Sequence, residues 1–239
     1  MRRDLPDIHE IWVYLSGSPL LALIVTLSAY HVGVVIYERL DRNPLANPVA
    51  IAVALVAIVI EAIDMPYAKY FEGAQFVHFL LGTATVSLAV PIHQGLKALR
   101  GRIVPLAAAL VAGGATSIAS AVLIARWLGA DPAVVAGFYA KSVTAPIAMG
   151  VAERIHASPT LTAVFAITTG ILGATLARFV LDAVGSKAWW QRGFALGIAA
   201  HGIGTARAFS VNEEAGRYAS LAMGLHGIAG AVLIPLLVR

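Results

Sequence analysis

The sequence predicts an all-α protein: a polytopic helical membrane protein of about seven to eight transmembrane helices, with inverted repeats and broken or re-entrant helices. Three observations carry that prediction. Hydrophobic residues make up 59% of the 239 residues and charged ones only 13%, about half the charge that a water-soluble domain carries. The apolar residues are Leu, Ile, Val and Ala in long runs, without the in-and-out alternation of a barrel strand, so the spans are helices. Two polar stretches, Lys141 to Met149 and His201 to Arg207, interrupt those runs at membrane depth, where a charge or a helix break needs a reason.

Met1-Arg2-Arg3-Asp4 bears a weak likeness to a signal n-region. The apolar run after it is too long for a cleaved segment and has no small-residue exit, so it stays as a span. Trp12 and Tyr14 are interface anchors ahead of a first span from Pro19 to Tyr37. His31 lies inside that span, where a histidine bonded to a neighbouring helix is the ordinary explanation. Glu38, Arg39, Asp41 and Arg42 make a charged turn. Asn43-Pro44 and Asn47-Pro48 lead into a second span, Val49 to Ile63, because Asn caps and Pro fits a helix's first turn. Glu61 and Asp64 share a face at its end, wet interface in the plain account and proton carriers in the functional one. Tyr67 to Gly73 is an aromatic and charged boundary. Val77 to Ile92 is interrupted by Gly82-Thr83-Ala84-Thr85 and closed by Pro91. It is either a broken or re-entrant helix or a packing helix whose small residues admit close neighbours.

Lys97, Arg100 and Arg102 form the most positive short loop, which the positive-inside rule puts in the cytoplasm. A span follows from Ile103 to Leu128, with Gly113-Gly114 for close packing and Trp127 at the interface. Gly129-Ala130-Asp131-Pro132 is a turn and cap signal. It separates two repeats, residues 11–128 and 133–239, within a single membrane domain over residues 1–239. The second repeat opens with Ala133 to Tyr139, passes through the first polar stretch, and reaches a boundary at Glu153, Arg154 and His156. Pro159 starts a span through Val184. Lys187, Trp189, Trp190 and Arg192 form an interface belt, Gly193 to Phe209 carries the second break, and the last span runs from Tyr218 to Val238 after Glu213-Glu214. The shared outline of the two repeats, with Gly82-Thr83-Ala84 echoed by Gly204-Thr205-Ala206, predicts a site where discontinuous helices meet.

Chemistry gathers at the breaks. A helix that starts within the membrane turns free N–H groups and a partial positive charge on whatever precedes it. Ser142 suits the cap of such a start, Thr144 adds a hydroxyl, Pro146 fits the early turn, and Lys141 adds a full charge. Together they form an anion site of the kind that holds a carboxylate. In the second stretch Gly202 and Gly204 permit unwinding while His201 and Arg207 offer donors, and Arg grips a carboxylate bidentately. Thr205, Thr83 and Thr85 complete the candidate substrate-binding set. His201, whose ordinary pKa lies near neutrality, is the candidate for proton coupling. The plain alternative has Lys141 and Arg207 snorkel to the interface, leaving structural glycines behind.

The net charge of +4 is scattered among the loops, which orients a bundle in a bilayer and does not describe a nucleic-acid surface. The absence of cysteine excludes disulfides, thiolate catalysis and Cys-based metal sites. With no His-Glu-x-x-His or Gly-x-Ser-x-Gly signature, the chain is read as a non-enzyme with neither metal nor cofactor.

The same residues resemble the LrgB/CidB family, whose members include bacterial antiholin-like proteins and the plant plastidal glycolate/glycerate translocator. Its central hallmark, Pro-Lys-Ser-Val-Thr-Thr-Pro-Ile-Ala-Met, is matched at Lys141 to Thr144 and Pro146 to Met149, with Ala140 and Ala145 departing. A second, Ser-His-Gly-Ile-Gly-Thr-Ala-Arg-Ala, is met from His201 to Ala208, with Ala200 for the serine. Leu81 to His93 resembles a third, with Thr83 for proline and His93 for tyrosine. Ser220 to Leu225 matches near the C-terminus, where His226 stands in place of the usual Asn or Ser. Asn47-Pro48 and Tyr67…Tyr70-Phe71-Glu72-Gly73 extend the likeness towards the N-terminus.

The resemblance implies one of two functions. Some members control murein hydrolase export and cell lysis with a small holin-type membrane partner of the LrgA/CidA kind. Others point to small 2-oxo or 2-hydroxy carboxylates. Lys141 and Arg207 at helix breaks, which an antiholin does not need, favour a secondary active transporter of glycolate-, pyruvate- or lactate-like monocarboxylates; the antiholin-like regulator is the alternative. The expected setting is the cell inner (plasma) membrane, multi-pass, with the lipid bilayer, the LrgA/CidA-like protein and a carboxylate as partners. A homo-oligomer is left open, and nucleic acid is not expected.

Overall fold

The computed structural model describes residues 19–87, 90, 93 and 101–238. The expectations for Met1 to Asp4, Trp12, Tyr14, Pro91, Lys97 and Arg100 lie outside those residues. The described elements are all helices: α1 (Pro19–Arg39), α2 (Pro48–Ala62), α3 (Tyr67–Ser87), α4 (Ile103–Trp127), α5 (Pro132–Gly137), α6 (Ala145–Arg154), α7 (Pro159–Ala183), α8 (Trp189–Val211) and α9 (Glu213–Leu237). Among the described residues α1, α4, α7 and α9 are long and apolar enough to cross a membrane, and α2 is a shorter apolar helix. The chain divides into two compact units, residues 1–83 and 84–239.

In the first unit α1 and α2 are joined by the charged turn, where Asp41 and Arg42 take left-handed backbone angles. Asn47 caps α2 as its sequence promises, its side-chain oxygen accepting from the Val49 and Ala50 amides at 2.9 and 3.2 Å. His31, Glu61 and Asp64 are exposed. The Thr26 hydroxyl of α1 meets the Tyr70 hydroxyl of α3 at 2.7 Å. Of the two alternatives for Gly82 to Thr85, α3 takes the unbroken one: it is one helix from Tyr67 through Ser87, and the expected boundary at Tyr67 to Gly73 is its opening turns. Small residues permit a break without imposing one, and tertiary context overrides their weak helix propensity. Thr83 satisfies its hydroxyl within the helix by donating to the Leu80 carbonyl at 2.8 Å.

The second unit is organised by Arg102. Its guanidinium donates to the Tyr218 hydroxyl at 2.7 Å and lies 4.9 Å from the centre of the Trp190 ring. α4, α8 and α9 therefore begin at one end of the bundle, hereafter the near end; α4 finishes at the far end. Leu106 packs with Phe194 and Ile198, so α4 and the first part of α8 run parallel.

From the far end the chain re-enters. Gly129 turns it with φ 75°, and Asp131 caps α5 by accepting from the Ala133 amide at 2.8 Å. α5 comes back along α4: Val135 clusters with Val122 and Ala125, and Tyr139 packs there with Ile118. Residues 138–144 leave the helix, and α6 then climbs to the far end, where His156 (φ 56°) reverses the chain and Ser158 caps α7. With six and ten residues, α5 and α6 are about 9 and 15 Å long. Neither can cross a membrane; they form a re-entrant pair.

α7 descends to the near end, where Asp182 pairs with Arg192 of α8 at 2.7 Å. α8 is two limbs. Residues 189–200 rise against α7, His201 breaks the helix with φ 38° and ψ −126°, and residues 202–211 return. Packing establishes the return. Leu196 and Ala208 share one buried cluster, whereas a straight helix would hold them about 18 Å apart. A Cβ on Gly204 would meet the Leu196 carbonyl oxygen at 2.9 Å. α9 then rises beside both limbs, approached so closely by Gly193 and Gly197 that a side chain there would run into the backbone of Ala215 and Ala219. It starts at Glu213, ahead of the Tyr218 expected from hydropathy, because Asn212 caps it (Ala215 amide, 3.1 Å) and two acids sit favourably in its first turn.

Candidate functional site

The two re-entrant hairpins come from opposite ends, and their tips carry the polar stretches singled out in the sequence. At the tip of α5–α6, Lys141 Nζ donates to Ser117 Oγ of α4 at 3.0 Å and to Ser142 Oγ at 3.2 Å, and the two serine oxygens lie 2.5 Å apart. Ser142 is buried. It is not the cap of α6, as expected; Thr144 holds that position with φ −60° and ψ 145°, and its side chain makes no capping bond. Ser142 is instead drawn away by Ser117 and Lys141, which offer it stronger partners than an amide. The Thr144 hydroxyl oxygen is left buried without a partner, beside the unpaired amides of the helix start. Pro146 occupies the first turn, where its missing N–H is no loss. Among the described residues the ion pairs are Arg178–Asp182, Arg192–Asp182 and Arg217–Glu213; none neutralises Lys141.

At the tip of α8, buried His201 holds Nε2 at 2.8 Å from the Ala166 carbonyl of α7. Its ring lies over Gly170, where a Cβ would meet Cε1 at 2.8 Å. The glycines were expected to unwind this stretch, yet the reversal sits on His201 itself, and Gly202 and Gly204 stay helical in the returning limb. Their small size serves packing there: Gly204 rests on Ala200 and Leu196. Thr205 returns its hydroxyl to the His201 carbonyl at 2.8 Å, with Met223 Sδ of α9 3.7 Å away. Ala166 clusters with Ala140 and Val143, so both tips meet on one stretch of α7.

His226 and Ser117 went unnamed as site residues in the sequence. His226 is 5% exposed, its ring lies over Gly114, and it finds no hydrogen-bond partner among the described residues. A histidine and serines within long apolar helices were the available signal. A cavity of ≈ 390 Å³ runs along α4 and the first limb of α8 from Trp190 at the near end to Ser117.

The remaining candidates belong to other stretches of the chain. Thr83, exposed, and Thr85 belong to α3. Arg207 sits six positions beyond His201 on the returning limb, about 9 Å of helix rise, and borders a separate cavity at the near end with Asp182 and Arg192. Lys141, two serines, Thr144 and the neighbouring His201 thus make a cationic, donor-rich cluster with no carboxylate hydrogen-bonded to it among the described residues, which is the chemistry of an anion site.

Comparison with known proteins agrees along nearly the whole chain. The model of the LrgB-like family matches residues 26–239. The holin-like protein CidB of Staphylococcus epidermidis is 28% identical over 218 residues, 91% of this chain and 95% of that protein. The Bacillus subtilis protein YwbG is 32% identical over 221 residues, 91% and 96% of the two chains. CidB of Staphylococcus aureus is 26% identical over 219 residues, 92% and 95%. No solved structure matches. The chain belongs to the LrgB-like family.

Proposed function

We propose that this protein spans the cell's inner membrane in several passes and carries small monocarboxylates, glycolate-, pyruvate- or lactate-like, as a secondary active transporter with a small LrgA/CidA-type partner. One observation above all supports this: Lys141, at a helix break inside the bundle, is held by serine hydroxyls and paired with no acid. A lone cation there is expensive unless an anion joins it. Ser142, Thr144, Pro146, His201, Gly202, Gly204 and Thr205 frame the bound carboxylate in this proposal, and the cavity ending at Ser117 is its path from the near end. Arg207 enters as a guide at that end; Thr83 and Thr85 are the contribution of the first repeat.

Two half-chains, residues 11–128 and 133–239, are proposed as inverted repeats of a bundle of about seven to eight spans. On a finer scale, and across that boundary, α4 with α5–α6 and α7 with α8 are each a long helix followed by a hairpin re-entering from the end that helix has reached, an inverted pairing other than that of the two half-chains. Transport is proposed to be proton-coupled through His201. An inward pH gradient should stimulate uptake in the wild type but not in His201→Gln; equal stimulation in both excludes His201.

The printed name of the staphylococcal relatives, holin-like, favours a second function, regulation of murein hydrolase export and cell lysis. Proteoliposomes loaded with or without the small partner separate the two. Saturable uptake of labelled pyruvate, glycolate or lactate is expected. Leakage of dyes of many sizes, without saturable uptake, would overturn transport in favour of a lytic component.

A further inference from the structure

The cavity bordered by Arg207, ≈ 560 Å³ between α7 and the two limbs of α8, has a chemistry unlike that of the Lys141 cluster. Its mouth at the near end carries Arg178, Lys187, Arg192 and Arg207 against one acid, Asp182. Arg192 is the best anchored of these: it donates to Asp182 Oδ1 and to the Ser186 carbonyl, both at 2.7 Å, and its guanidinium lies 5.6 Å from the centre of the Trp189 ring. Asp182 also lies 3.8 Å from Arg178, which is 69% exposed in its side chain. With the single carboxylate divided between Arg178 and Arg192, the cations that line the mouth outnumber its acid. The remaining walls include Ala174, Ala177, Leu181, Leu196, Ala208 and Val211, which are apolar.

A small hydrophilic anion would satisfy the rim and leave those walls wet. An amphiphile satisfies both. We propose that this cavity holds an anionic phospholipid, its phosphate among Arg178, Lys187, Arg192 and Arg207 and an acyl chain along α7 and the returning limb of α8. A tryptophan beside a cluster of cations is the composition expected at headgroup level. Because residues 202–211 form one wall, the lipid bridges α7 to the very limb that carries His201's hairpin, and it steadies that hairpin from the membrane side. Apart from Arg207, which the transport reading uses as a guide, the proposal does not depend on what the Lys141 cluster carries.

Native mass spectrometry on the purified full-length protein in detergent tests it, with phosphatidylglycerol, phosphatidylcholine and inorganic phosphate as probes. Phosphatidylglycerol should be retained and should raise the unfolding temperature; phosphatidylcholine and inorganic phosphate at equal concentration should do neither. Removing a cation near a membrane surface should lower the preference for phosphatidylglycerol over phosphatidylcholine about fivefold, in Lys187→Gln alone, whose exposed loop position spares the fold, and further in Arg178→Gln/Lys187→Gln. Arg126→Gln, at the far end, should leave the preference unchanged. Equal retention of both lipids, an undiminished preference in Lys187→Gln and the double variant, or an equal loss in Arg126→Gln overturns the assignment. A shift reproduced by inorganic phosphate alone would make this a free-phosphate site and overturn the lipid.

Discussion

At the scale of single residues, Lys141 should dominate recognition. Losing a charge-assisted hydrogen bond costs about 1.5–3 kcal/mol, so Lys141→Gln should weaken the apparent affinity for a monocarboxylate about ten- to hundredfold at matched protein abundance. Arg207→Gln, at the near end, should change it less; equal losses would return Arg207 to the binding pocket. His201 is held in a backbone conformation that L-residues avoid, kept there by the Ala166 carbonyl and the smooth surface of Gly170. Gly170→Ala drives a methyl into that ring and should destabilise the protein by about 1–3 kcal/mol, read as a lower unfolding temperature in detergent. The motif residues Lys141, Ser142 and His201 were legible because polar groups stand out within apolar runs. Their partners were not. Nothing local tells Ser117 from any other small residue that helps helices approach, and only the reversal of the chain puts it under Lys141.

Among the elements, the sequence located the long helices well. Pro19, Pro159 and the caps Asn47, Asp131 and Ser158 each mark a start in the letters themselves. It left the outcome open, or misplaced it, where packing decides. α3 keeps going through glycine and threonine, while α8 reverses at a histidine rather than at the two glycines that follow. Glycine announces that a chain can turn or pack closely, and which of the two it does depends on neighbours that a single helix cannot name. The distinction is measurable. Gly193→Ala and Gly197→Ala press a side chain onto the backbone of α9, which cannot rotate away, and should lower the unfolding temperature and the yield of folded protein. Gly150 on α6 has nothing within 4 Å of a built Cβ, so Gly150→Ala should be neutral or stabilise the helix by up to about 1 kcal/mol. Similar losses at all three positions would contradict the hairpin packing.

For the whole second unit, the paired hairpins resolve an ambiguity of charge. Simple alternating spans would put cations at both ends of the bundle. Because each hairpin returns to the end it entered from, Arg102, Arg178, Lys187, Arg192, Arg207 and Arg217 fall at the near end, and Arg126 and Arg154 at the far end. The positive-inside rule then predicts a cytoplasmic near end. The chain has no native cysteine, so single cysteines at Lys187 and Asp131 can be labelled without background. An impermeant maleimide added to intact cells should reach Asp131→Cys and spare Lys187→Cys. The meeting of the two hairpin tips has an electrical consequence as well. In the proposed transport cycle, a site opened to water from each face in turn would take most of the transmembrane voltage across the barrier around Lys141 and His201. A bare carboxylate stepping over it meets the full field, about 2.3 kcal/mol per 100 mV, a roughly fiftyfold bias against uptake into a negative interior. A proton travelling with it on His201 makes the step electrically silent. Uptake by the wild type should therefore be indifferent to a potential clamped with valinomycin, and uptake by His201→Gln should fall steeply as the interior is made negative.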